Sequence, residues 1–457
     1  MLAKFKQRLH SRGNTAQKSA PVFSGIALLP SETLGGEIFP LVVHGKFRDD
    51  LWRRKLLALA GVCTQWRNIV HSTPLLWNQC ICLDTHQFSR VGRFREERIV
   101  EKYFEAVRMC LTRSAPLPVS ISIDWFALRG DRKDFARTVD IISDAAERIE
   151  SLRTSIVGRN DIGVGILRAL EGLPNGTLRA LTTIDISFET DTSPHIDLMN
   201  APHLRRVELR VGWNPIDVIS IPWLQLTHVT LTAPPLACLA VLARCSNLVS
   251  AVLAVLQPMH TSLPDDLPLI TATLMHLTSL CLSVSSKLLR AVGNLVLPAL
   301  TTLELFMVWP KPAILSHLPL GNVRRLTLTM HGVVQTADLY ALLRCTPGVT
   351  ELKLTSYGVE NTFLDVLRVD IPSTELLLPQ LEMLRIHDTP IFSRHGSRSN
   401  SQVIVAFQAM IASRVSTGLR RLVYSPPEFE HSDSQLRDEL MLAVAAFSVN
   451  GLHVEVL

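Results

Sequence analysis

The sequence predicts an α/β protein in which a small all-α unit is followed by a long, irregular solenoid of repeats. Three observations lead to this prediction. The chain has 457 residues, 47% of them hydrophobic and 19% charged, which is the composition of folded domains. Helical periodicity marks a compact unit from 29 to 77. From Leu181 onward, one leucine-rich pattern recurs through the rest of the chain.

Changes in composition and periodicity divide the chain into four parts. They are a basic tail (1–25), an N-terminal helical domain (26–85), a joining segment (86–148) and a solenoid with a C-terminal cap (149–457). The helical run at 436–447 forms the cap. The tail accounts for the whole net charge of +5 through Lys4, Lys6, Arg8, Arg12 and Lys18. The remainder is near neutral, so we expect no nucleic-acid partner.

We expect the protein in the cytoplasm, the nucleus or both. The tail lacks the continuous apolar core of a secretory signal, so it is either a solvated tail or a weak nuclear or organellar address. No apolar run reaches the length that spans a bilayer, so we expect no membrane partner. The eight cysteines are spread thinly along the chain, which suits free buried thiols in a reducing compartment.

The helical domain begins at Pro30, a residue that fits the first turn of a helix. Gly35 and Gly36 lie inside this first helix and each lowers its stability by about 1 kcal/mol relative to alanine, so it must depend on packing. Asp49 and Asp50 then provide a cap for a second helix. That helix carries one apolar stripe and ends before Pro74; the stripe is Leu56, Leu59, Cys63, Trp66 and Val70.

The joining segment places a strand-like stretch, 119–123, between helical patterns at 93–113 and 135–149. The repeat follows, with the pattern Leu-x-x-Leu-x-Leu in which Val or Ile also occurs. Its copies start 22 to 38 residues apart, at Leu181, Leu204, Leu226, Leu248 (degraded), Leu277, Leu300, Val323, Val349, Leu381 and Leu419. This spacing is typical of a solenoid, in which the last two apolar residues of each copy point inward from a short strand. Unrelated strands in a two-layer α/β domain are the alternative.

The residues of the helical domain resemble an F-box of the divergent kind common in large fungal families. The match runs through Leu29-Pro30-x-Glu32, Ile38-Phe39, Leu59-x-x-Val62-Cys63-x-x-Trp66-Arg67-x-Ile69 and Ser72-Thr73-Pro74-Leu75-x-Trp77. The C-terminal two thirds resemble leucine-rich repeats. These resemblances imply a substrate-receptor subunit of an SCF-type (Skp–cullin–F-box) E3 ubiquitin ligase, which binds a Skp-type adaptor through the F-box and an unknown target protein through the repeats.

The resemblance assigns residues to two binding surfaces. The adaptor-facing residues are Leu29, Pro30, Ile38, Phe39, Leu59, Val62, Cys63 and Trp66, with Trp77 packing behind them. Membership of the unit's own core is the alternative for each one. The solvent-facing side of the predicted strands supplies candidate target-binding residues, namely Arg206, Glu208, Arg210, Glu304, Phe306, Arg325, Lys353, Arg385 and His387.

Two features depart from the families. Gly35 and Gly36 replace better helix formers, and the linker from Pro40 to Lys55 is long and basic. The repeats also lack the Asn or Cys that usually follows the strand, so we expect no polar ladder at that position and an irregular curvature. A leucine-rich-repeat scaffold whose degenerate F-box engages no adaptor is therefore the alternative function.

Motifs of catalysis are missing from the sequence. There is no Gly-x-x-x-x-Gly-Lys loop, no complete dinucleotide-binding glycine fingerprint, no His-Glu-x-x-His and no Gly-x-Ser-x-Gly. We therefore expect no enzyme activity, cofactor or metal, and an enzyme with a site assembled in space is the third alternative.

Overall fold

A computed structural model describes most of the chain. The described residues are 29–43, 51–78, 81–84, 97–126, 132–157, 168–174, 176–189, 196–211, 219–255, 271–284, 294–307, 320–331, 336–357, 362–369, 376–387, 400–425, 442, 447 and 451–456. The basic tail lies outside them. So does the predicted C-terminal cap, apart from helical residues 442 and 447.

The described residues fall into two compact units of a mixed α/β protein. The first comprises those of Met1–Cys80 and Ala106–Leu117, and the second those of Ile81–Glu105 and Pro118–Leu457. The α-helices are α1 Ser31–Thr33, α2 Phe39–Val43, α3 Leu51–Ala60, α4 Thr64–Ser72, α5 Glu97–Ser114, α6 Arg132–Ala145, α7 Pro235–Arg244, α8 Thr336–Arg344, α9 Thr362–Leu367 and α10 Asn400–Val415.

A π-helical turn, Leu34–Ile38, joins α1 to α2 and contains both glycines. Pro40 explains the wide turn, because a proline inside a helix lacks an N–H and its ring crowds the carbonyl four residues earlier. Gly35 explains the close packing of this segment. A β-carbon at that position would lie 2.8 Å from Thr73 Oγ1 and 3.1 Å from Ile69 Cγ2, whereas one at Gly36 would meet nothing within 4 Å.

The predicted single helix from 51 to 72 is wrong, because the chain breaks it into α3 and α4. Helix α3 ends at Ala60, and Gly61 and Val62 form a turn whose amides donate to the carbonyls of Leu57 and Leu59. Cys63 has extended backbone and caps α4, with its Sγ accepting from the amide of Trp66 at 3.4 Å. The predicted apolar stripe therefore runs over two helices rather than one.

The second unit is built on a parallel sheet of fourteen described strands. Each strand of this sheet pairs with its neighbours in the order in which they follow along the chain, apart from β5 and β7, which form a separate pair. The strands are β1 Ile81–Asp84, β2 Val119–Phe126, β3 Ile149–Val157, β4 Thr183–Glu189, β5 Ile196–Asp197, β6 Arg206–Arg210, β7 Ile219–Ser220, β8 His228–Ala233, β9 Ser250–Val255, β10 Ser279–Val284, β11 Thr302–Met307, β12 Arg325–His331, β13 Glu351–Tyr357, β14 Met383–His387, β15 Arg421–Ser425 and β16 His453–Val456.

The sheet begins earlier than expected. Strands β1 and β2 precede residue 149, where we expected the array to start, and they pair with each other and with β3 in the same sheet. Neither strand carries the full leucine pattern. Their alternating apolar residues place both strands in the sheet instead. Ile121 and Ile123 of β2 are buried, and they pair in register with Leu152 and Thr154 of β3.

The repeat pattern fixes the core of the sheet. In every copy with the full pattern the last two apolar residues are buried, as Val207 and Leu209 of β6 show, and so is the first residue of the copy. The parallel register aligns these residues into continuous rows from strand to strand. Helices α7 and α8 are formed by apolar runs that lie between strands of the sheet.

Polar ladders link successive repeats at the start of the pattern, and not after the strand, where the sequence lacks Asn or Cys. Threonines at the second position of the pattern donate their hydroxyl protons to a backbone carbonyl of the preceding repeat; they are Thr182, Thr227, Thr278, Thr301 and Thr350, at 3.1 to 3.2 Å. One residue before the pattern, Gln225, Asn247 and Asn322 donate side-chain amide protons in the same way, at 2.7 to 2.9 Å. These bonds supply a ladder in a chain that lacks the usual Asn or Cys.

A buried arginine links helix α10 to the preceding coil. Arg414 on α10 donates from Nε to the carbonyl of Leu367 at 2.5 Å, and from an Nη to those of Leu377 and Leu378 at 2.7 and 3.3 Å. Burial lowers its pKa to about 10, which still leaves the guanidinium charged at neutral pH.

Candidate functional site

The first unit exposes large apolar side chains. Sixteen such side chains are exposed among the described residues, and five of them lie between 29 and 78. We call these five the apolar surface; they are Leu41, Val42, Leu57, Val62 and Leu75. Leu41, Leu57 and Val62 are 82%, 63% and 52% exposed. Contiguous patches of exposed apolar side chains are typical of sites that contact another protein.

Predicted adaptor-facing residues are divided between the surface and the core. Pro30, Val62 and Cys63 are exposed, whereas Leu29, Ile38, Leu59 and Trp66 are half-buried. Phe39 is 1% exposed, so its prediction as a surface residue is wrong and its alternative, membership of the core, holds. It lies in the core because α2 packs its buried side, Phe39 and Val43, on the rest of the unit.

Aromatic contacts connect this core to the surface. The ring centroids of Phe39 and Trp66 are 5.0 Å apart. Trp77 is buried, as predicted, and donates from Nε1 to the carbonyl of Val70 at 2.6 Å. The guanidinium of Arg113 lies 4.6 Å from the Trp77 ring, within the range of a cation–π interaction. The half-buried Trp66 therefore packs on a buried ring, that of Phe39.

Sequence reasoning missed most of the apolar surface. Leu57 follows the buried Leu56 directly, so it points away from the core on α3. Leu41 and Val42 follow Pro40 at the end of the first helical segment, and Leu75 follows Pro74. The available signal was the number of apolar residues, which exceeds what a unit of this size can bury.

The second unit places all nine candidate target-binding residues on one face of the sheet. We call this side, whose residues alternate with the buried rows, the outward face. Arg206, Arg210, Phe306 and Arg325 are exposed on it, and Glu208, Glu304, Lys353, Arg385 and His387 are half-buried. The parallel register aligns them in rows across the strands.

Ion pairs organise two parts of the outward face. Near its start, Arg153 lies 3.2 Å from Asp185 on the next strand, and Arg210 pairs with Glu208 on its own strand at 2.5 Å. Near its end, Glu351 lies 3.5 Å from Arg325 and 2.9 Å from Arg385. The middle strands carry mostly small, uncharged residues there, apart from Glu304 and Phe306 on β11.

Three titrating groups of this face have shifted pKa values. Burial, followed by the charge and hydrogen bond of Glu304, raises the pKa of the Cys281 thiol to about 12, so it is protonated at neutral pH. Burial and then the charge of Arg206 lower the pKa of His228, which favours the neutral ring. A hydrogen bond from Arg421 is the largest of the causes that lower the pKa of Glu455, at the far end of the face.

Neither a protein-family model nor a curated protein matches the chain. Within the described part of the chain, no helix is long and apolar enough to cross a membrane. His, Cys, Asp and Glu residues in that part form no group of three or more suited to a metal ion. The described residues thus carry two surfaces that bear on function, the apolar surface of the first unit and the charged outward face of the second.

Proposed function

We propose that this protein is a substrate-receptor subunit of an SCF-type E3 ubiquitin ligase. The first unit is an F-box-like domain that binds a Skp-type adaptor and through it the cullin complex. The second unit is a leucine-rich-repeat solenoid that captures the protein to be ubiquitinated. In this role, in the cytoplasm or the nucleus, the chain binds proteins and catalyses no reaction itself.

The apolar surface is the observation that carries the proposal. Leu41, Leu57 and Val62 stay exposed on a unit whose own core contains Leu34, Phe39 and further buried residues. Full burial of a completely exposed leucine or valine contributes about 1.5–3 kcal/mol, and side chains that are 52% to 82% exposed contribute a corresponding fraction of it. A unit this small gains much of its stability from such a partner.

The proposed adaptor site combines the apolar surface with residues of the F-box resemblance that are accessible. Val62 belongs to both sets. Pro30 and Cys63 of the motif are also exposed, and Leu29, Ile38, Leu59 and Trp66 are half-buried. Phe39 supports Trp66 from the core instead of touching the adaptor. This arrangement resembles half of a protein core that the adaptor completes.

The outward face supports the target-capturing role. Arg206, Arg325 and Phe306 are exposed on it, and arginine and aromatic side chains are enriched in the protein interfaces of known complexes. The parallel sheet presents these residues in aligned rows, which gives a partner an ordered surface several strands wide.

One observation favours the scaffold alternative. The π turn at Leu34–Ile38 adds an extra residue to one turn, so Ile38 faces a different direction relative to Pro30 than it does on a continuous α-helix. An F-box-like unit altered in this way and without adaptor binding leaves the protein as a leucine-rich-repeat scaffold. Both functions share the outward face and differ only in the adaptor.

Copurification of the intact chain with a Skp-type adaptor tests the proposal. We expect the wild type to retain the adaptor and Val62→Asp to lose at least tenfold of it, because a buried carboxylate without a partner strongly opposes association. Val296→Asp is the matched control, since Val296 is 50% exposed, similar to Val62 at 52%, and lies in the second unit. Equal recovery with both variants, or no adaptor on the wild type, would sink the proposal in favour of the scaffold.

A further inference from the structure

The charge of the outward face changes along the sheet. On β12 to β15 it carries four cations, Arg325, Lys353, Arg385 and Arg421, and one carboxylate, Glu351. We call these four cations the basic strip. A second carboxylate, Glu455, follows on β16 and lies 2.6 Å from Arg421. Cations therefore outnumber carboxylates two to one at this end of the face.

The register sets the geometry of the basic strip. Arg325 and Arg421 lie in one row, with Glu351 and Met383 between them, and Lys353 and Arg385 are neighbours in the next outward row. Neighbouring strands are about 4.8 Å apart, so the strip extends about 14 Å across the sheet. An extended peptide covers that distance with four or five residues.

The charges of the strip are only partly neutralised within the described residues. Glu351 is shared by Arg325 and Arg385, so a single carboxylate faces two guanidinium groups. The side chain of Arg325 is 70% exposed despite this contact. Lys353 makes no ion pair with any residue that the structure describes. On the first strands, by comparison, Asp185 pairs with Arg153 and Glu208 pairs with Arg210.

We propose that the basic strip binds an acidic, extended segment of the protein that the second unit captures. The inference rests on the proposed function for its second half, the capture of a target. Complementary charge identifies the segment: Asp or Glu side chains opposite the four cations satisfy the guanidinium and ammonium groups that Glu351 and Glu455 leave underused. Nucleic acid is the poorer match, because its affinity comes from neutralising many phosphates along a backbone, and this short strip offers only four cations.

The experiment measures binding of a labelled acidic peptide to the intact chain. The probe is a fluorescein-labelled dodecapeptide of alternating Glu and Ser, whose glutamates all face one side when it is extended. A Lys and Ser peptide of the same length is its control. We expect fluorescence anisotropy to show binding of the acidic peptide and none of the Lys and Ser peptide. The affinity for the acidic peptide should fall at least tenfold between low salt and about 0.5 M salt.

Variants locate the binding on the strip. Lys353→Gln and Arg325→Gln should each weaken the acidic peptide about threefold to tenfold. Glu351→Gln should strengthen it about threefold by freeing Arg325 and Arg385, a gain that a folding defect does not produce. Arg179→Gln is the matched control for Arg325, because Arg179 is 67% exposed, also pairs with a glutamate, and lies outside the outward face.

Three results overturn the inference. They are undetectable binding of the acidic peptide, a loss in Arg179→Gln equal to that in Arg325→Gln, and tighter binding of a single-stranded oligonucleotide of the same charge. Adaptor copurification of the same variants separates the two proposals, since the strip lies in the second unit. If the chain retains the adaptor but binds no acidic peptide, only the proposed role of the basic strip is contradicted. If it binds the peptide but retains no adaptor, only the proposed ligase role is contradicted.

Discussion

Alanine substitution at two neighbouring glycines should change stability in opposite directions. Gly35 and Gly36 are adjacent in the π turn and equal in helix propensity, so only their surroundings distinguish them. Gly35 is buried against Thr73 and Ile69, whereas Gly36 is exposed. We expect Gly35→Ala to destabilise the first unit and Gly36→Ala to stabilise it.

The contacts give the size of both effects. At position 35 the new methyl group would lie 2.8 Å from Thr73 Oγ1, closer than van der Waals contact allows, and overpacking of this kind costs about 1–3 kcal/mol. Thr73 Oγ1 donates to the Ile69 carbonyl at 2.7 Å, so its displacement weakens that bond as well. Helix propensity offsets about 1 kcal/mol, so overpacking alone leaves a net loss of about 0–2 kcal/mol, and the weakened hydrogen bond adds to that loss. At position 36 only the gain of about 0.5–1 kcal/mol remains.

Hydrogen exchange of amides in α2 and α4, measured in the intact chain, reports these differences as local free energies of opening. The double variant Gly35→Ala, Thr73→Ala identifies the cause, because it removes the tightest contact and leaves only Ile69 Cγ2, at 3.1 Å, near the extra methyl group. We expect Gly35→Ala to cost less in that background. Equal protection in the two single variants, or no rescue by Thr73→Ala, would refute the reasoning.

Three further predictions concern the second unit. Arg414→Met should lower the free energy of unfolding by about 3 kcal/mol or more, because buried carbonyls lose their donors. Denaturant unfolding measures this loss. For the exposed control Arg179→Met, the same assay should show a loss of less than about 0.5 kcal/mol. Thr278→Val should lose about 0.5–1.5 kcal/mol with its ladder bond in the same assay, whereas Thr230→Val should lose little, since the structure describes no hydrogen bond for the Thr230 hydroxyl. The lowered pKa of His228 means that the unfolded chain takes up the proton first, so stability should fall as pH drops below about 6.5, and His228→Asn should flatten that part of the pH profile.

The core of the sheet could be predicted from the sequence because the spacing of apolar residues in the pattern matches the period of a strand. A strand has a period of two, so the spacing of Val207 and Leu209, or of Leu352 and Leu354, places both residues on the same side. The same period put Arg325 and Lys353 on the outward face. Strands β1 and β2 were not assigned to the sheet because they carry the alternation without the leading leucine that marks the later copies.

Features that depend on neighbours distant in sequence were out of reach. The break between α3 and α4 follows from Gly61 and the cap at Cys63, although the apolar stripe continues smoothly through both positions. The closeness of Gly35 to Thr73 is a tertiary contact that local propensity does not encode. Arg414 looks like an ordinary surface arginine at the end of a helix, and only the fold surrounds it with carbonyl groups.

Protection of one thiol tests the central claim most directly. Cys63 is exposed in the proposed adaptor site, and Cys345 in the second unit is half-buried. Alkylation rates of both thiols in the intact chain, with and without a saturating Skp-type adaptor, are read by mass spectrometry. We expect the adaptor to slow alkylation of Cys63 at least tenfold and to leave the rate at Cys345 unchanged. An unchanged rate at Cys63 would contradict it.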